Sequence, residues 1–254
     1  MKKVIINADD FGLTSGCNRG IIKAFKEGIV TSATVMMNMP KNGEAIIMAR
    51  DHGINALGVH LNITAGRPLL PVSKVPSLVC SQGAFYKDHV DFAEPAKIRE
   101  VEQEFREQIH AFLKTGLQLT HLDSHHHLHM RAGVSKIVVE LALEHGVPMR
   151  KITAGTSCNN QEAEREQAPA TPDHLITEFY DEGVSRENLQ ELLSKAPGHI
   201  IEVMTHPGLS DDELKRASVY TRQREKELEI LTSREMIDWI QTQDLELVSF
   251  LYLK

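Results

Sequence analysis

Lys3-Val4-Ile5-Ile6-Asn7-Ala8-Asp9-Asp10-Phe11-Gly12 opens the chain as a β-branched run that stops at two adjacent carboxylates. The run 3–8 is short and apolar without alternation, which fits a strand buried on both faces, as in a parallel sheet. Ser15 is placed to cap a helix whose apolar face is Ile21, Ile22 and Phe25, with Gly28 as its stop. Residues 31–39 read as a second strand closed by Pro40. Residues 45–52 read as a helix ended by Gly53, and 56–62 as a third strand. Strand, helix, strand, helix, strand implies parallel pairing through crossovers.

Residues 63–95 interrupt this rhythm with Pro68, Pro71, Pro76 and Pro95, and with Phe85, Tyr86 and Phe92 among them. Irregular stretches of this length are often binding loops. Ile98, Val101, Phe105, Ile109 and Phe112 then recur at helical spacing, and Gly116 ends that helix. Residues 117–125 form a strand that runs into a histidine cluster. Further on come a helix at 134–145, a short strand at 149–153, a loop at 154–173, a weak strand at 175–180 and a helix at 186–195. A strand at 199–205, a charged helical region at 217–243 broken near Thr232-Ser233, and a last strand at 245–251 complete the series. Seven or eight strands alternating with helices over 254 residues fit a (β/α) barrel better than an open doubly wound sheet. The expected fold is α/β, a single distorted TIM-like barrel of seven strands over residues 1–254, with 63–95 as a loop beside the active site.

Composition narrows the function. The chain is 41% hydrophobic and 25% charged with a net charge of −7, which argues against a nucleic-acid partner. No apolar run reaches membrane-spanning length, and residues 1–8 lack the apolar core of a signal peptide. Cys17, Cys80 and Cys158 are scattered and odd in number, which reads as free thiols and a cytoplasmic protein.

The stretch Thr120-His121-Leu122-Asp123-Ser124-His125-His126-His127-Leu128-His129 holds five of the chain's 13 histidines. Imidazole is costly to crowd into a core without partners and is the commonest protein metal ligand. On the strand map Asp9 and Asp10, His60, His121 and His125, and His206 all fall at or beyond carboxyl ends of strands. In a parallel barrel those ends share one face, where such enzymes keep their sites. One aspartate and two histidines with open positions suit Zn²⁺, Mn²⁺ or another divalent ion. Adjacent residues of an extended chain point to opposite sides, so one of Asp9 and Asp10 is free to hold metal while the other serves as a base. Strand alternation puts His121, Asp123, His125, His127 and His129 on one face and His126 on the other. Some of these must therefore support the ligands from behind; His121, Asp123 and His127 are the candidates, Asp123 by orienting an imidazole.

Asn7-Ala8-Asp9-Asp10-Phe11-Gly12, Gly58-Val59-His60, Thr120 to His127 and Thr205-His206-Pro207-Gly208 together resemble the YdjC-like carbohydrate deacetylase family. The resemblance implies a distorted TIM-like barrel and one divalent metal ion, Mg²⁺ or Zn²⁺, held by Asp10, His60 and His125. By looser similarity to other polysaccharide deacetylases it implies Asp9 as the base, His206 as the acid and Arg150 as the group that orients the base. The implied reaction is hydrolytic N-deacetylation of a short acetylated amino-sugar oligosaccharide, chitobiose-like, and the implied assembly a homodimer. Phe85 and Tyr86, with Phe92, are the expected wall for the sugar. The competing readings are another metal-dependent amidase or phosphoesterase, or a metal- or sugar-binding module without turnover.

Overall fold

The computed structural model describes residues 1–87, 95–153 and 168–254. Its centre is β1 (Lys2–Phe11), whose Val4, Ile5 and Ile6 are fully buried. One edge of β1 pairs with β6 (Ile200–Thr205) from Lys3 to Ala8. The other edge is shared: β7 (Leu245–Leu247) takes Lys2 to Val4, and β2 (Ser32–Val35) takes Asn7 to Phe11. β3 (Ala56–Leu61) follows β2, β4 (Gln118–Ser124) follows β3, and β5 (His174–Ile176) lies beyond β6. All these ladders are parallel, so the seven-stranded sheet gathers its carboxyl ends at one end of the molecule. Between β4 and β5 the circuit is carried without a ladder. Leu122 bridges to Met149, and the Met149 N–H donates to the Ala170 carbonyl at 3.0 Å. The result is a distorted barrel.

Helices α1 (Ser15–Glu27), α2 (Asn42–Asp51), α3 (Pro95–Leu113), α4 (Val134–Glu144) and α5 (Arg186–Lys195) alternate with the strands. α6 (Asp212–Ala217), α7 (Arg222–Thr232) and α8 (Arg234–Thr242) then precede β7. One continuous core runs between the sheet and these helices, from Val4 and Ile6 through Phe105 and Phe112 to Leu231. Each such buried side chain contributes about 1.5–3 kcal/mol of transfer free energy. Among the described residues, no helix is long and apolar enough to cross a membrane.

Several boundaries differ from expectation. Thr14, not Ser15, caps α1, its hydroxyl accepting from the Cys17 N–H. The strand expected at 149–153 is reduced to the single bridge at Met149, and 245–251 to three paired residues followed by a 3-10 turn at Phe250–Leu253. The charged region divides where expected, with the Ser233 hydroxyl capping α8, but its first helix begins at Arg222. The loop after β3 is not structureless. It carries 3-10 turns at Val72–Lys74 and Pro76–Leu78, buries Val75 and Leu78, and is tied to α3 through Glu104, which accepts the Leu69 and Leu70 N–H groups.

Candidate metal and acid-base site

The acidic pair sits where β1 loses register with β2, between Ala8 and Phe11. Asp10 has φ of +67°, a left-handed conformation that is uncommon for non-glycine residues. This kink overrides strand alternation, so Asp9 and Asp10 both line one cavity instead of pointing apart. The cavity, of about 600 Å³, opens over the carboxyl ends of the strands and also takes in His60, His125, His127 and His206.

Asp10 Oδ2 accepts from Arg224 Nη2 at 2.6 Å. Its Oδ1 is buried and accepts no well-aligned hydrogen bond, yet faces His60 Nε2 at 3.5 Å and His125 Nδ1 at 3.1 Å. Donor atoms of these three residues lie within 4.8 Å of one another. Burial alone would raise the Asp10 carboxyl; the Arg224 charge, with His125 and His60, outweighs it and holds it well below the usual range. Across the site His60 Nδ1 donates to Asp123 Oδ1 at 2.7 Å. That bond orients the ring with Nε2 toward Asp10. Burial opposes charging His60, but the charge and hydrogen bond of Asp123, joined by Asp9 and Asp10, raise it to about 9. A buried carboxylate oxygen with no aligned donor, set between two imidazole nitrogens, is a donor set that fits a divalent cation.

Asp9 is held differently. Arg150, fully buried, donates to both its oxygens at 2.7 Å, and Asn7 Nδ2 adds a third bond at 2.8 Å. Burial would raise the Asp9 carboxyl, but the Arg150 charge and bonds hold it well below the usual range. Arg150 also reaches Glu202 Oε1 at 2.7 Å and Asp123 Oδ2 at 3.1 Å. Thus one guanidinium ties together three carboxylates from β1, β4 and β6. Desolvation, against the pull of Arg150, pushes Glu202 up to about 7.

His206 follows β6. The loop behind it approaches α1 so closely that a Cβ on Gly20 would meet the Gly208 Cα at 2.5 Å. His206 Nδ1 lies 3.8 Å from Glu227 Oε1, which also accepts the Tyr220 hydroxyl at 2.5 Å. Tyr180 and Tyr220 stack at 4.3 Å between centroids, and both rings stand edge-on to His206.

The structure thus brings Asp9, Asp10, His60, His125, Asp123, Arg150 and His206 to one end of the barrel. Asp123 orients an imidazole, that of His60. The chain leaves β4 after Ser124, and His126 and His127 take left-handed φ values of 52° and 51°, so alternation ceases there. His126 stacks on His125, and His129 turns inward to bond Ser124 Oγ. His121 lies deeper, stacked on Phe250 and packed over Gly58, and does not line the cavity. Phe85 is 3% exposed within the core, and Tyr86, though 46% exposed, does not line the cavity either. The expected sugar wall is therefore not formed by these two side chains; Phe92 and Cys158 lie outside the described residues.

Sequence reasoning missed Arg224, Glu227, Glu202, Tyr180 and Tyr220. Arg224 and Glu227 sit three residues apart on α7 and are buried, but α7 carries charge on every face, which conceals an inward pair. Glu202 had a visible signal, as a carboxylate inside the apolar strand Ile200-Ile201-Glu202-Val203-Met204.

The chain is thus a distorted parallel barrel that gathers Asp, His and Arg side chains over the carboxyl ends of its strands, the face where barrel enzymes keep their sites. The family model described as YdjC-like protein matches residues 3–242. A carbohydrate deacetylase of Brevibacillus brevis is 38% identical over 252 residues, covering 98% of each chain. One of Thermoanaerobacter pseudethanolicus is 34% identical over 254 residues, covering 100% of each. A crystal structure from Enterococcus faecalis, described as that of a candidate cellobiose-phosphate cleavage protein, superposes with a TM-score of 0.92. It is 35% identical and covers 99% of this chain and 98% of its own. The chain belongs to the YdjC-like family.

Proposed function

We propose that the chain is a metal-dependent hydrolase that removes the N-acetyl group from an acetylated amino-sugar oligosaccharide of chitobiose type, releasing acetate. Deacetylation of a carbohydrate follows the curated relatives. The observation that carries the metal and the roles is the asymmetry of the two aspartates. Both Asp9 oxygens are occupied by Arg150, whereas Asp10 keeps one buried oxygen without an aligned donor, facing His60 and His125. Asp10, His60 and His125 would hold one divalent ion, Mg²⁺ or Zn²⁺. When bound, it supplies Lewis acidity toward the amide carbonyl and the attacking water.

The remaining chemistry belongs to the chain. Asp9, ionised and fixed by Arg150, receives the proton of the attacking water. His206 donates a proton to the departing amine, with the Glu227 carboxylate 3.8 Å from its Nδ1. Asp123 keeps the His60 ring in the orientation a ligand needs. The free thiols of Cys17 and Cys80 are consistent with a cytoplasmic enzyme.

The test is incubation with N,N′-diacetylchitobiose, scoring acetate, free amine and monosaccharide. Acetate and amine appearing in equal amounts from an intact disaccharide support the reading. Monosaccharide without acetate, meaning cleavage of the glycosidic bond, would overturn it.

A further inference from the structure

We infer that Tyr180 is the surface on which the sugar ring losing its acetyl group lies, face to face, with Tyr220 as its backing. This rests on the sugar-amide reading above and adds the residue that recognises the ring. A pyranose presents an apolar face of axial C–H groups, and its natural protein counterpart is a flat aromatic ring with one side free.

Among the described residues Tyr180 meets that requirement within the cavity. One face is covered by Tyr220, parallel to within 6° at 4.3 Å, yet the residue remains 45% exposed. Tyr180 thus lines the cavity with part of its ring free of protein contact. Its position is built rather than incidental. Tyr220 is locked by its hydroxyl bond to Glu227, and the same hydroxyl accepts the Asp181 N–H at 3.2 Å, clamping the residue after Tyr180. Asp181 has φ of +51°, and its carboxylate accepts from Gln223 at 2.9 Å, which fixes the turn that aims the ring.

The same cluster fixes which sugar ring is involved. His206 stands edge-on to both tyrosines, 5.6 Å from Tyr180 and 5.8 Å from Tyr220, at the side of the stack. A ring resting on Tyr180 thus has its substituents beside His206, the group that protonates the leaving amine. The ring whose nitrogen departs is the ring so placed. Glu227 couples the two tasks, since its carboxylate supports both Tyr220 and His206.

The experiment compares wild type with Tyr180→Phe and Tyr180→Leu on N,N′-diacetylchitobiose. Covering roughly 50 Å² of apolar ring face at about 25 cal/mol per Å² corresponds to about tenfold in affinity. Tyr180→Leu, which keeps bulk but not a flat face, is expected to raise KM about tenfold with kcat changed much less. Tyr180→Phe is expected to stay within about twofold in both, since it keeps the face. A merely structural tyrosine would lose folded protein without this split. A second measurement needs only wild type: in saturation-transfer NMR, saturating aromatic resonances should reach the face protons of the ring that is deacetylated. Tyr180→Leu with wild-type KM, or transfer confined to the other ring, would overturn the assignment while leaving deacetylation intact. No acetate release from any acetylated sugar by wild type would overturn both.

Discussion

Replacing Arg150 by methionine tests how the site is held together. The guanidinium is fully buried and bonds Asp9 twice, Glu202 once and Asp123 once, at 2.7–3.1 Å. At such spacing one ion pair in a medium of effective dielectric near 20 is worth about 4 kcal/mol, but desolvation of both partners takes back much of that. The cost of the deletion comes instead from three carboxylates left buried without a cation. Breaking such a network costs about 3–5 kcal/mol, a large share of a typical total of about 5–15 kcal/mol. In urea, with a slope of about 1–3 kcal/mol per molar, the midpoint at neutral pH should fall by about 1–5 M. The sign with pH is also determined. In wild type the folded Asp9 carboxyl lies below its unfolded value, so its contribution is present above about pH 4 and fades as pH falls through the folded value. Arg150→Met lacks that contribution already, so the gap between the two proteins should close on acidification. Equilibrium unfolding monitored by circular dichroism at pH 8, 4 and 2.5 is the assay. A stability at pH 8 within about 0.5 kcal/mol of wild type, or a gap that widens between pH 4 and 2.5, would overturn this expectation.

Three other outcomes follow from the same geometry. Asp10→Asn should lose most bound metal, whereas Asp9→Asn should keep it and lose turnover; inductively coupled plasma analysis beside acetate assays separates them, and the reverse pattern would exchange the roles. His206→Ala should retain metal and lose more rate on the amide than on an activated acetyl ester, whose leaving group needs no proton; equal loss on both would remove the acid role. Glu202 is raised from 4.5 to about 7, so the folded state holds its proton longer than the unfolded one and stability falls as pH rises between those values, by about 3 kcal/mol in all. Glu202→Gln should flatten that slope, and an unchanged slope in pH-dependent urea titrations would contradict it.

Much of the architecture was legible because buried parallel strands leave continuous apolar runs, as at Val4-Ile5-Ile6 and Val203-Met204, and because glycines punctuate the helices. β5 and β7 pair over three residues each, too few to leave a period, and Met149 contributes one bridge. The convergence of Asp10, His60, His125 and His206 followed from their common place at strand ends. Side-chain direction beyond Ser124 did not, because alternation applies only to extended chain and His126 and His127 are left-handed. The bulge that turns Asp10 into the cavity beside Asp9 leaves no sequence mark either. Arg224 and Tyr180 reach the site from α7 and from a turn far along the chain, where only tertiary packing decides which polar residues face inward. Phe85 looked like a ligand-facing aromatic in a loop and instead anchors that loop to the core.

On the proposed reading, Asp10, His60 and His125 hold a catalytic divalent ion. The most direct measurement follows metal content and acetate release from N,N′-diacetylchitobiose in the same samples, through chelation and stepwise return of Zn²⁺ or Mg²⁺. The expected result is loss of both on chelation, and recovery of rate in proportion to metal up to one ion per chain. His60→Ala and His125→Ala should recover neither. Metal-stripped protein releasing acetate at the untreated rate, or a His60→Ala variant with full metal, would contradict this ligand assignment.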